Sequence, residues 1–194
     1  MTLSVLLLAL SLLPVAASAG PARAQSQPAP ANPIGTAVLG FKERVAAYIK
    51  IHNEAESKVP KLKETNDPAK VQSHAAALAE MIKKLRPNAK EGDVFGDAFR
   101  AVLAREVRRD FLDRSAADRK ALMEELLPKM KVGVNMKYPT DKPLATFPAR
   151  LLQKLPELPP ELEYRIVDHH IVLRDVTANV IADVARNVVP ATSS

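Results

Sequence analysis

Apolar spacing changes once along this chain, and the change sets the fold class. Between residues 36 and 128 the apolar side chains recur at three- and four-residue steps, the period of a helix with one buried face. Beyond Pro128 prolines crowd in at positions 139, 143, 148, 156, 159 and 160, and β-branched residues become common. The stretch 162–175 then alternates like half-buried strands. An N-terminal bundle of about four helices, followed by a small C-terminal antiparallel β-hairpin unit, satisfies both patterns. That is an α+β fold, mainly α. The chain has no cysteine, so packing alone must hold it together.

Four helices are expected, over residues 36–58, 68–86, 93–113 and 115–128. The first carries Val38, Phe41, Val45, Tyr48 or Ile49, and His52 along one stripe. The second starts on Asp67 as cap with Pro68 at its first position, and its stripe is Val71, Ala75, Leu78, Ile82 and Leu85. Phe95, Phe99, Val102 or Leu103, Glu106 or Val107, and Asp110 or Phe111 mark the third. Ser115 to Asp118 resembles a capping box that opens the fourth, which carries Leu122, Met123, Leu126 and Leu127.

In the last third, residues 131–136 read as a short strand and 147–155 as one or two helical turns. A hairpin with Asp168-His169 as its two-residue turn pairs positions that sum to 337. Ile166 then faces Ile171, Tyr164 faces Leu173 and Leu162 faces Asp175, while Glu163 meets Arg174 on the other side. His169 must then accept a positive φ, unless the loop is longer. Val176, Val180, Ile181, Val184 and Val188 return to helical spacing and predict a terminal helix, with a third strand as the alternative.

Residues 3–13 form an apolar run closed by Pro14 and followed by the triplets Ala17-Ser18-Ala19 and Ala22-Arg23-Ala24. This is the layout of a cleavable export signal, cut after Ala19 or Ala24. The expected organisation is a signal peptide over 1–24 and a Pro-rich flexible linker over 25–35. One globular domain follows over 36–190, helical to 128 and mixed from 129, with a disordered tail at 191–194. Cleavage after Ala24 leaves 194 − 24 = 170 residues and removes one cation, Arg23, so the formal charge falls from +6 to +5. The expected location is the periplasm or the exterior. Basic and acidic residues are interspersed and aromatics are scarce, which argues against nucleic-acid binding. Membrane contact would be at most peripheral, through Lys83, Lys84 and Arg86.

Tyr138-Pro139 followed by Pro143-Leu144-Ala145-Thr146, the run Leu158-Pro159-Pro160-Glu161-Leu162-Glu163-Tyr164-Arg165-Ile166-Val167, and Val172-Leu173-Arg174-Asp175-Val176 with Ala178-Asn179-Val180-Ile181 carry a resemblance. Over residues 138–190 the chain resembles the C-terminal segment of a group of uncharacterised exported bacterial proteins. The resemblance implies a recurring envelope module and adds no catalytic residue.

The residues offer little chemistry. No G-x-S-x-G elbow, phosphate-cradling glycine loop, Glu-x-x-His or His-x-x-x-His spacing occurs. His169 and His170, with Asp175, are weak candidates for a transition metal, because adjacent residues of a strand or turn point in different directions. The bland reading makes them turn histidines. His52 and Glu56 lie one helical turn apart and could form an acid/base couple, although an interfacial or surface side chain is the simpler expectation, as it is for His74. No cofactor is implied. The expected role is a non-catalytic module that binds another envelope protein through a helix groove or the hairpin edge. A periplasmic hydrolase or metal-dependent enzyme, assembled from distant residues, is the alternative. Nothing in the spacing speaks to oligomeric state.

Overall fold

The computed structural model describes residues 32–125, 131–139 and 147–190. The leader, residues 25–31 of the linker, residues 126–128 of the expected fourth helix, residues 140–146 of the resembling segment and the tail at 191–194 lie outside them. The helices are α1 (Pro33–Ser57), α2 (Pro68–Leu85), α3 (Asp97–Leu112), α4 (Ala116–Glu125) and the short α5 (Ala149–Leu152). The strands β1 (Leu162–Val167), β2 (His170–Asp175) and β3 (Val180–Ala185) form one antiparallel sheet in the order β1-β2-β3. The α+β expectation therefore holds. Among the described residues no helix is long and apolar enough to cross a membrane.

Capping explains where the helices begin. Asn32 accepts the Gly35 N–H and Pro33 fills the first turn, so α1 starts three residues earlier than expected and takes in the end of the supposed linker. Asp67 caps α2 through the Ala69 N–H, with Pro68 inside, as anticipated. At α4, Ser115 Oγ accepts the Asp118 N–H and donates to the Asp118 carboxylate. Helix α3 starts four residues later than its apolar period suggested. Gly96, the N-cap residue, sits at φ 67° and ψ 151°, a backbone conformation that a helix cannot include and that glycine adopts readily. The preceding N–H groups of Gly92, Val94 and Phe95 are all taken by the Asp183 carboxylate.

Ala37, Phe41, Val45, Tyr48, His52 and Ala55 form the buried stripe of α1, with Leu78 and Ile82 from α2. Phe99, Leu103, Val107 and Phe111 face them from α3. Phe41 stacks on Phe99 with centroids 4.0 Å apart and reaches Tyr164 of β1 at 6.4 Å, so aromatic contact joins the helices to the sheet. All five Phe and all three Tyr are buried, which leaves no exposed aromatic platform.

The β1–β2 register is the expected one, with Ile166 opposite Ile171, Tyr164 opposite Leu173 and Leu162 opposite Asp175. The two-residue turn is also as expected, but Asp168 and not His169 takes the positive φ, at 53°. Asp tolerates that region better. The predicted terminal helix is corrected to β3. Its residues are all buried because the sheet is covered on both faces, so the segment is apolar throughout. A strand buried on both sides loses its alternation, and its spacing can then mimic a helix. Val180, Ala182 and Ala185 belong to the helix-side core, whereas Ile181 and Val184 join Val132, Tyr138, Val167 and Val172 in a second cluster behind the sheet.

That second cluster is closed by the segment predicted as a strand over 131–136. It is instead a turn, with Asn135 at φ 62°, that runs onto the outer edge of β3. Asn135 N–H donates to Ile181 O at 2.9 Å, Ile181 N–H to Met136 O at 2.8 Å and Tyr138 N–H to Asn179 O at 2.9 Å. One outer edge of the sheet is thereby satisfied.

Asp183 anchors the sheet to the connection between α2 and α3. It is fully buried and accepts four backbone N–H groups, from Gly92, Val94, Phe95 and Val184, at 2.7–2.8 Å. Burial pushes its carboxyl up while those donors hold it down. Asp183→Ala strands these donors, three of them in a single loop. Denaturant titration is expected to show a loss of about 3 kcal/mol or more, at one to three per unsatisfied group. A loss under about 1 kcal/mol, the net value of one ordinary hydrogen bond, contradicts the anchor.

Candidate functional site

The polar centre of the molecule lies where α1 crosses the end of β2. Tyr48 and His52 stand one turn apart on the buried stripe of α1, in line with Phe41 and Val45. Asp175, the last residue of β2, faces Leu162 on the helix side of the hairpin. Its Oδ2 accepts both the Tyr48 hydroxyl at 2.9 Å and the His52 Nδ1–H at 2.6 Å. Its Oδ1 accepts the Ala178 N–H at 2.9 Å, which closes the turn into β3. Asp175 is 0% exposed and His52 1%. The Arg86 guanidinium lies 5.0 Å from the centroid of the Tyr48 ring, and its Nη1 donates to Ala182 O at 3.3 Å.

The charges support a paired imidazolium and carboxylate. The hydrogen bond to Asp175 holds the His52 pKa above its ordinary value. Burial opposes this, and the charges of Asp175, Glu56 and Glu161 reinforce it. Burial, then the adjacent carboxylate, pushes the Tyr48 hydroxyl well above the usual phenol range, so it remains a donor. An Asp–His pair is half of an acid–base relay, and a general base must reach the proton it removes. Here the His52 side chain is only 2% exposed, with Nδ1 on Asp175 and Nε2 3.9 Å from Glu56 Oε2. The Tyr48 hydroxyl beside it is kept protonated by burial and then by the same carboxylate. The arrangement holds a charge and fixes a helix on a sheet.

His169, His170 and Asp175 do not converge. His170 and Asp175 are opposite ends of β2, and five residue steps along the strand separate them by about 16 Å. His169 Nδ1 donates to Val189 O at 3.2 Å, and Val189 N–H returns to His169 O at 3.1 Å. His170 Nδ1 accepts the Asn187 N–H at 3.1 Å, and burial with the nearby Arg186 charge holds its pKa down. The two imidazoles tie the C-terminal segment to the hairpin turn. Among the described residues no group of three or more His, Asp or Glu is arranged to hold a metal. His52 does approach Glu56, as its spacing suggested, but its principal partner is Asp175. His74 bonds Pro60 O through Nδ1 at 3.1 Å. Of the basic trio, Lys83 and Lys84 are exposed while Arg86 turns inward.

The Tyr48–His52–Asp175 contact escaped the sequence reading, yet two signals pointed to it. A histidine stands on the apolar stripe of α1, and an aspartate stands in the apolar ladder of the hairpin. Buried polar groups need partners, and these two are each other's.

A separate surface feature lies beside β1. A trough of about 690 Å³ is walled by Phe147, Leu152, Leu155, Leu158, Leu162 and Tyr164, and Glu163 and Arg165 also line it. Leu152 is 48% exposed at this wall.

Because the folded state raises the His52 pKa, it holds that proton more tightly than the unfolded chain does. The stabilisation is complete below the unfolded value of about 6.5 and disappears as pH rises through the folded value. Urea titrations from acid to alkaline pH are expected to show wild-type stability falling above about pH 6.5. His52→Gln should lose that slope. The opposite contribution of His170, whose proton is held less tightly in the fold, is common to both chains and cancels in the difference. Tyr48, Glu56, Glu161, Asp175 and Arg86 are the ionisable groups surrounding the imidazole, and none is altered by the substitution. Equal slopes in the two chains contradict the ion pair.

Comparison with protein-family models, with curated proteins and with solved structures finds no match to this chain.

Proposed function

We propose that this chain is an exported, non-catalytic interaction module of the bacterial envelope that binds an extended polypeptide segment along the outer edge of β1. The observation that carries this reading is the apolar trough beside that edge. In the hairpin register Glu161 O accepts the Val176 N–H, so odd-numbered residues of β1 bond β2. The backbone groups of Tyr164 and Ile166 then point to the other side. Among the described residues no strand lies there, whereas the edge of β3 is met by residues 135–138. An added strand gains main-chain hydrogen bonds from such an edge and side-chain selectivity from the adjoining hollow. The apolar leader with its small-residue triplets, and the resemblance over 138–190, support an envelope location. The burial of His52, with its Nδ1 committed to Asp175, supports a role without bond-making chemistry.

Peptides of random sequence displayed on phage and selected on the purified chain test the reading. Selected peptides are expected to shift the amide resonances of residues 152–166. They should bind about tenfold or more weakly to Leu152→Glu, which places a charge in the trough. Selection of no peptide, or of peptides whose binding Leu152→Glu leaves unchanged, contradicts it. So does a hydrolytic activity towards ester or amide substrates that His52→Gln abolishes.

A further inference from the structure

A second hollow, which shares no lining residue with the hairpin trough, is of a different kind. A cleft of about 360 Å³ opens between α1 and the α2–α3 connection, with the ring of Tyr48 in its wall. Its polar lining is Arg44, Arg86, Asn88 and Asp93, and Ile51 and Leu85 are among its apolar residues. Arg86 closes α2 as its C-terminal cap residue and is 8% exposed. Its contacts are the Tyr48 ring face and one long bond to Ala182 O. Among the described residues no carboxylate pairs with it. A guanidinium has five N–H donors, and a buried cation left without an anion is costly. Arg44 donates to Gly40 O within its own helix at 2.9 Å and packs against Gly96, and it too has no carboxylate partner among the described residues. Asp93 accepts the Lys90 N–H at 2.9 Å and pairs with neither arginine.

We propose that this cleft binds a small organic acid, with its carboxylate on the Arg86 guanidinium and its apolar body against Ile51 and Leu85. Two guanidinium groups and one carboxylate leave the cleft a net charge of +1, which a monoanion neutralises. A dianionic phosphate would meet the Asp93 carboxylate with excess charge. The planar fork of arginine suits a carboxylate, and Arg44 at the rim adds a second cation. The size fits a small ligand. The site is independent of the β1 trough, so either can fail without the other.

Benzoate is the probe, with benzamide as its neutral counterpart of the same shape. Benzoate is expected to shift the amide resonances of Arg44, Arg86 and Asn88 saturably, and benzamide to leave them unmoved. Arg44→Gln, an exposed position, should weaken benzoate about tenfold, the value of one charge-assisted hydrogen bond. Ala47→Trp, also exposed, should fill the cleft and abolish binding. Arg86→Gln is not needed, so loss of the fold cannot imitate loss of the site. Absence of saturable benzoate shifts, equal binding of benzamide or of inorganic phosphate, or full binding by both variants would each overturn the proposal.

Discussion

One carboxylate joins the two halves of this protein. Asp175 accepts from Tyr48 and His52 of α1 and from the Ala178 backbone, so the first helix, the central strand and the turn into the last strand meet on two oxygen atoms. The partners are 123 and 127 residues apart in sequence. Losing any one leaves a buried charge or dipole uncompensated, and in a dry interior that costs far more than an intact pair contributes. In a chain without cysteine, such a contact specifies which helix face meets which strand, a choice that apolar packing alone leaves degenerate.

Two further polar ties follow the same logic. Asp183 gathers the N–H groups of the loop ahead of α3, and Arg86 reaches the carbonyl of Ala182. Ala182 is the extra residue where the β2–β3 register shifts between Leu173 and Arg174, so the arginine meets a carbonyl at an irregularity in the ladder. Every tie runs from the helical half to β2 or β3, the strands buried most deeply. β1 is held to the helices mainly by apolar and aromatic contact through Tyr164 and Ile166. The sheet is thus fastened at its centre and at one edge, and its other edge adjoins the trough.

The helices and the hairpin register were readable because each rests on local rules: capping residues, a 3.6-residue period, and pairing about a short turn. Asp67 with Pro68, Ser115 with Asp118, and Glu163 opposite Arg174 all stand as their spacing implied. β3 was hidden because both its faces are covered, which erases alternation. The onset of α3 was hidden because Gly96 interrupts the helical backbone and Asp183, some ninety residues away, holds the turn before it through the Val94 and Phe95 N–H groups. The central contact was hidden for a related reason. Each of its members looked like an isolated polar residue on an apolar face, and a pairing between distant elements leaves no trace in spacing. His169 and His170 drew notice through adjacency, which has little bearing on what imidazoles bond.

This division between sealed polar ties and open hollows underlies the functional reading. Tyr48, His52 and Asp175 are bonded to each other inside, and the surface offers an apolar trough at one strand edge and a basic cleft beside α1. The most direct test of the sealed centre is a double-mutant cycle on His52→Leu and Asp175→Leu, read by equilibrium unfolding. If the two residues form a buried pair, each single change should cost about 3–5 kcal/mol and the double change far less than their sum, with a coupling of roughly 2 kcal/mol or more. Additive losses would contradict the account, because they would mean that the two side chains stabilise the fold independently.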